Sequence, residues 1–419
     1  MAPPSEDPQR TAAAPPPRPP TRKYEAKREA FVRAAVEELN RKGVRGMTLG
    51  DVAARLNLVP TGVIYYFKSK EELAAAAFLK GVNRFDNLIA AGAEAGEDEG
   101  SRVRGFVDAY FAFKAAVAAG EAEQLVVFND VRALNWPAVN EAYVAMFRAA
   151  RMLLSGPERL PRLHRNARTH LLLSQMFWIV AWIGETELSD YPRAASRMAA
   201  ILTGGIAASG VAWPAPKPLE LSRAGDPDAE TSPELFLRAA TQLINEEGYH
   251  GASVERIAAR LNFSKGAFYH HNETKDELVV ACFERTFDTI WRAIHEAERV
   301  ADNGLGVLVT VAAALIERQS DGAAPLLRTS ALTTVPEAIR AGLLVKFNRL
   351  SGRFASIMCD GIADGSIRPV DVSIAAQMLT AAINAAAELQ YWAPGLTADT
   401  VVDHYVRPLF EGLGSAPVT

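Results

Sequence analysis

The strongest constraint in this chain is that it repeats itself. Residues 48–73, TLGDVAARLNLVPTGVIYYFKSKEEL, return without a gap 205 positions later as SVERIAARLNFSKGAFYHHNETKDEL. Ala53, Ala54, Arg55, Leu56 and Asn57 recur as Ala258, Ala259, Arg260, Leu261 and Asn262. Lys70, Glu72 and Leu73 recur as Lys275, Glu277 and Leu278. Two copies of one segment imply two copies of one folding unit, and the 419 residues are enough for two cores of about 200 residues each.

Each copy reads as short helices joined by a tight turn. Thr48 and Ser253 are natural N-caps, because a hydroxyl accepts from the free amides of a first helical turn. Leu49, Val52, Ala53 and Leu56 then share one helical face, as do Val254, Ile257, Ala258 and Leu261. Asn57 and Asn262 stand where that helix must end, and Asn tolerates the left-handed conformation of a C-terminal cap. A second short helix is predicted over 60–66 and 265–271, and a third from Ser69 and Thr274. This is a helix-turn-helix pattern, whose second helix can enter the major groove of DNA.

The rest of the chain reads as all-α, since no long alternating pattern marks a strand and 49% of residues are apolar. The order predicted is a Pro-rich tail at 1–20, a head at 21–92, a helical body at 103–209, a linker at 210–232, a second head at 233–297 and a second body at 303–413. Helical patterns in the bodies cover 103–119, 121–134, 137–154, 165–184 and 190–209, then 303–319, 335–363, 371–392 and 397–411. Gly43 and Gly248 end the first helix of each head. Prolines at 214, 216, 218 and 227 mark the linker, long enough to let one half fold back beside the other.

Cys282 and Cys359 form no CxxC spacing, so each reads as a buried reduced thiol, and no metal or other cofactor is expected. The most apolar run, 171–183, is too short to span a bilayer, and no secretory leader pattern is present. No membrane partner and a cytoplasmic location are expected. Walker, GxSxG, HExxH and dinucleotide motifs do not occur, which argues against an enzyme.

Both repeated stretches resemble the DNA-binding head of TetR/AcrR-family transcriptional regulators. The likeness lies in the small-residue pair after the cap, the aromatic cluster ending the recognition helix and the Lys-acid-acid-Leu start of the next helix. Ile64 replaces a Tyr of that pattern in the first copy, and Asn272 replaces a Phe in the second, so the heads are not expected to be equivalent. The resemblance implies double-stranded operator DNA as partner. It gives phosphate contacts to Thr48, Tyr66 and Lys70, and to Ser253, Tyr269, His271 and Lys275. Base reading falls to Pro60, Thr61, Gly62 and Tyr65, and to Lys265, Gly266 and His270, with Ser264 beside them. Arg45 and Lys68 flank the first motif as further basic contacts. Simple core packing competes with a DNA role at Tyr65 and dominates at Phe67.

Charge separates the heads. Residues 21–80 hold twelve basic and seven acidic side chains, whereas 231–281 hold five and seven. Phosphate attraction supplies much of protein–DNA affinity, so the first head is expected to carry more of its salt-sensitive part. His250, His270 and His271 lack a usual metal-ligand spacing and read better as phosphate or base contacts.

The resemblance also implies a small-molecule pocket in the bodies and pairing through the last two helices of each. Phe106, Tyr110, Phe113, Phe128, Trp136, Phe177, Trp178, Tyr391 and Trp392 are the aromatic candidates, with Tyr143, Phe147, Phe347 and Phe354 beside them. They suit an apolar effector such as a lipid, sterol or acyl thioester. A bulky face at Met176, Phe177, Trp178 and Trp182 complements an Ala-rich face at Ala382, Ala385 and Ala386, which favours a pseudo-dimer within one chain. A homodimer remains open, as does a chain in which only the first head reads DNA and the second unit serves pairing or sensing. Repression is the family's usual mode.

Overall fold

The computed structural model describes residues 21–156, 160–221, 232–260, 274–321, 325–333, 335 and 337–415. All regular elements among them are helical, apart from one isolated bridge between Ala207 and Ile367. The first half runs α1 (Arg22–Gly46), α2 (Leu49–Arg55), α3 (Pro60–Ile64), α4 (Lys70–Glu94), α5 (Glu99–Ala118), α6 (Pro137–Leu153), α7 (Arg162–Trp178) and α8 (Tyr191–Gly204). The second runs α9 (Ser232–Gly251), α10 (Val254–Arg260), α11 (Lys275–Val300), α12 (Gly304–Asp321), α13 (Glu337–Asp364) and α14 (Val372–Ala385).

Local chemistry sets these boundaries. The Thr48 hydroxyl accepts from the Asp51 amide at 3.1 Å, and the Asp51 carboxylate accepts from the Thr48 amide at 3.2 Å, a reciprocal cap. Thr274 and Glu277 make the same box at the start of α11. Gly43 and Gly248 sit at φ +69° and +73°, non-helical values at which the first helix of each head breaks off before a short separate turn. Asn57 takes φ +54° between α2 and α3.

Several predicted helices are broken. Residues 121–127 are not helical, and a 3-10 segment follows at Phe128–Leu134. Here the Asn40 side chain takes over backbone pairing, donating to Leu125 O and accepting from the Val127 amide. The run 165–184 leaves α geometry after Trp178, and 190–209 stops at Gly204. The run 371–392 changes to a 3-10 turn at Ala386–Glu388, and 397–411 contains a π turn at Val402–Val406. Cys282 is buried as expected, but Cys359 is exposed on α13.

The two bodies meet along α7 and α14. Asn166 donates to Trp392 O at 2.9 Å, Gln175 to Met378 O at 3.1 Å, and the Trp178 indole to Gln377 Oε1 at 3.1 Å. Residues Val372–Trp392 are apolar and long enough to cross a membrane, contrary to the hydropathy expectation, but more than half of that stretch is buried inside the protein. The two body ends lock reciprocally. A Cβ on Gly205 would fall 2.1 Å from Phe410 O, and one on Gly412 would fall 2.5 Å from Thr203 O, so neither position accepts a side chain. The linker continues along the second body, with the Lys217 amide on Thr310 Oγ1 and Arg292 donating to Leu221 O. In the heads, α1 lies against α9, where Arg45 reaches Glu247 at 3.1 Å.

Candidate nucleic-acid interface and the cavity between the bodies

The first head is built around a dry wedge. Val52, Ala53, Val63 and Phe67 are fully buried, which fixes α3 against α2 and sends its other face outward. That outer face is apolar and aromatic, with Val59 67%, Ile64 45% and Tyr65 68% exposed. Pro60 and Thr61 are also exposed, and a Cβ added at Gly62 would meet only open space. Val59 and Ile64 escaped the residue-by-residue reading. Ile64 is out of step with the inward pair Val63 and Phe67, whereas Val59 keeps their four-residue spacing and is exposed because it stands at the extended N-cap, before α3 begins.

Tyr66 is half-buried, its ring 4.7 Å from that of Tyr24 and 5.2 Å from that of Phe31. Thr48 is exposed, with its hydroxyl committed to Asp51. Lys70 points its ammonium at the end of α1, donating to Val44 O at 3.4 Å and Arg45 O at 3.2 Å. Arg45 faces the second head instead of leaving its charge open. Much of the first head's positive charge is tied up in the same way. Glu38 is buried and holds Arg41 and Arg55, Lys42 reaches Asp51 at 2.7 Å, and Arg33 reaches Glu123 at 2.8 Å. Burial alone would raise the Glu38 carboxyl, but bonds from Arg55 and Arg41 outweigh it and hold the group below the usual carboxylate range. Of the twelve basic residues, Arg22, Lys23 and Lys68 have side chains without a partner among the described residues.

In the second head Ser253 accepts from the Arg256 amide at 3.3 Å, which caps α10. Lys275 lies over the Tyr249 ring at 4.3 Å, and burial pushes its ammonium below the ordinary lysine value. Ser264, Lys265, Gly266, Tyr269, His270 and His271 lie outside the described residues.

A cavity of about 60 Å³ lies between the bodies. Phe128, Phe177, Trp178 and Trp392, all anticipated, line it together with Tyr143 and Phe147. Phe106 and Tyr110 are instead core residues on α5, and Phe113 lies under Arg84. Trp136 caps the start of α6 away from the cavity, and Tyr391 is 53% exposed beneath Arg132. Phe347 and Phe354 line a separate small cavity in the second body. Aromatic content pointed to the ring side of the central cavity, but its polar side, His170, Arg328, Asn384 and Glu388, went unread. Arg328 donates to Glu388 at 2.7 Å. Burial would raise Glu388, yet the charges of Arg328 and Arg132 hold it below the usual range. Burial pushes His170 down to about 4, so its imidazole is neutral near pH 7.

The sequence model for bacterial regulatory proteins of the tetR family matches residues 31–77 and, again, 236–282. The TetC protein of transposon Tn10 from Escherichia coli is 37% identical over 52 residues, 12% of this chain and 26% of that protein. The chain thus spans about a quarter of the length of that relative. The HTH-type transcriptional repressor DhaR from Mycobacterium sp. (strain GP1) is 30% identical over 136 residues, 32% of this chain and 68% of the repressor. Among solved structures, the TetR-family transcriptional regulator PfmR from Thermus thermophilus aligns over 42% of this chain and 98% of its own, with 23% identity and a TM-score of 0.36. Two matches to one family model, each followed by a helical body, define a tandem architecture. The chain belongs to the TetR family of bacterial regulatory proteins and carries the family head twice.

Proposed function

We propose that this protein is a sequence-specific DNA-binding transcriptional regulator, acting as a repressor, whose two unlike heads read an asymmetric operator. The observation that carries the reading is the outer face of α3, where Val59, Ile64 and Tyr65 stand exposed on a firmly packed head. Large apolar side chains held out on a rigid helix mark an interaction surface, and thymine methyls in the major groove are suitable partners. Lys68, Arg22 and Lys23 add open charge for phosphate, and Thr61 and Tyr65 add hydrogen-bonding groups for base edges. The chain's two bodies take the place of two subunits: the reciprocal packing of Gly205 on Phe410 and Gly412 on Thr203 has the self-complementary form of a two-fold interface. A small molecule bound in the bodies releases the DNA, and no catalytic step is involved.

The experiment is selection of genomic fragments bound by the purified full chain, with the symmetry of the enriched motif read out. Two unlike half-sites support the proposal. A palindrome replaces it with a dimer of chains using one kind of head, a reading favoured by the way Glu247 and Glu246 occupy Arg256 and Arg260 in the second head. No enriched motif at any salt concentration overturns regulation by DNA binding.

A further inference from the structure

We infer that the cavity between the bodies is a single effector site for a small aromatic carboxylate, and that this one site is connected to both heads. The inference rests on the regulator reading above and gives it a ligand class and a route.

The cavity's walls divide by chemistry. Phe128, Tyr143, Phe147 and Phe177 from the first body, with Trp392 from the second, form an aromatic slot. Opposite them lie His170, Arg328 and Glu388. His170 is 6% exposed and its Nδ1 has no hydrogen-bond partner, and Arg328 Nε is also buried without one. Other buried polar atoms in the protein also lack a partner, but these two belong to side chains that line one cavity, where a bound group can pair them. The sign of that group follows from the surrounding charge. Arg328 faces Glu388, while a second guanidinium, Arg132, lies 5.0 Å from the Trp392 ring centre and acts on the same carboxylate. Two cations against one anion, with a neutral imidazole beside them, favour a carboxylate on the ligand over an amine or a neutral head.

The route to the heads is symmetrical. Phe128 follows Val127, whose amide donates to Asn40 Oδ1 on α1 at 2.8 Å. Arg328's own amide donates to Asn245 Oδ1 on α9 at 2.9 Å. Asn40 and Asn245 are repeat equivalents, and each also donates to a backbone carbonyl two residues earlier, Leu125 and Leu326, at 2.9 Å. One cavity therefore touches the segment that anchors each head's first helix. As it stands it has room for only about four waters. A ligand ring has to displace part of this lining, and where Phe128 or Arg328 gives way the motion pulls on an anchored segment.

The test titrates the full chain with benzoate and, as its neutral counterpart, benzyl alcohol. Intrinsic tryptophan fluorescence reads binding, since Trp178 and Trp392 line the cavity. Benzoate should bind saturably and at least about tenfold more tightly than benzyl alcohol. Arg328→Gln should remove that preference, and Glu388→Gln, which removes the competing carboxylate, should tighten benzoate binding. A gain in Glu388→Gln cannot come from misfolding. Asn40→Ala and Asn245→Ala should still bind benzoate while each reduces benzoate-induced release of DNA selected by the wild-type chain. Non-saturable benzoate binding, equal affinities for the two probes, or unchanged affinity in both charge variants overturns the site. If the chain selects DNA but benzoate fails, the site falls and the regulator stands. If benzoate binds but no DNA is selected, the regulator reading falls while the carboxylate site survives.

Discussion

Over their described residues the two heads share one backbone plan, and their sequences carry opposite net charge. Lys42 and Asp51 form a 2.7 Å ion pair in the first head, and the equivalent positions in the second are Glu247 and Arg256, which pair with their signs exchanged. Arg55 is held mainly by the buried Glu38, but its counterpart Arg260 is held by Glu246, because Leu243 occupies the place of Glu38. Val44 gives way to Tyr249, and Lys275 covers that ring instead of capping two carbonyls as Lys70 does. The exchange at position 247 has a consequence across the heads, since Glu247 also holds Arg45. One inverted pair therefore distinguishes the heads and joins them. The same two positions thus carry a complete pair of either polarity.

The largest expected effect comes from the element that the heads do not share. Glu38→Ala should destabilise the protein by about 1–2 kcal/mol in chemical denaturation, because the buried carboxylate's bonds to Arg41 and Arg55 are lost while both arginines keep access to solvent. Glu38 has a folded value below its unfolded one. Its contribution is complete above the unfolded carboxylate value of about 4.3 and is lost as pH falls through the folded value. Wild type should therefore lose stability on acidification below that point more than Glu38→Gln does. An equal slope for the two would remove Glu38 from the account.

Tyr65→Ala should weaken binding to the selected operator by about tenfold while leaving the thermal midpoint unchanged, as its ring is 68% exposed. A loss of stability instead of affinity would mark Tyr65 as a packing residue. Smaller still is the effect of Lys68→Ala, which should lower affinity on all sequences and reduce the salt slope by about one. Lys70→Ala should cost stability before it changes that slope, since its ammonium is spent on Val44 and Arg45. The reverse ranking would place Lys70, not Lys68, on phosphate.

The smallest effect tests the inversion directly. Glu247→Lys and Arg256→Asp should each cost up to about 1 kcal/mol, and the double variant should recover part of the loss. Additive losses would show that the pair contributes nothing beyond its separate residues.

The heads were largely legible from the sequence because their determinants are local. Thr48 and Asp51 cap three residues apart, Asn57 turns where it stands, and Leu49, Val52, Ala53 and Leu56 declare the inner face of α2 by period. The failures were of two kinds. Residues 121–127 carry helical propensity, yet Asn40, far away in sequence, claims their backbone groups. Arg45 and Lys70 read as open charges because their partners, Glu247 and two backbone carbonyls, come close only on folding.

The amino-acid sequence by itself determined that this protein is all-helical, that it carries one head twice, and that the two copies differ in charge. Those properties follow from caps, turns and periodicity among near neighbours. Only the tertiary structure decided which charges remain open, how the heads meet, and that aromatic residues of one body share a cavity with Arg328 and Glu388 of the other. Contacts between residues some 200 positions apart leave no local pattern, because their energies depend on the distances that folding alone creates.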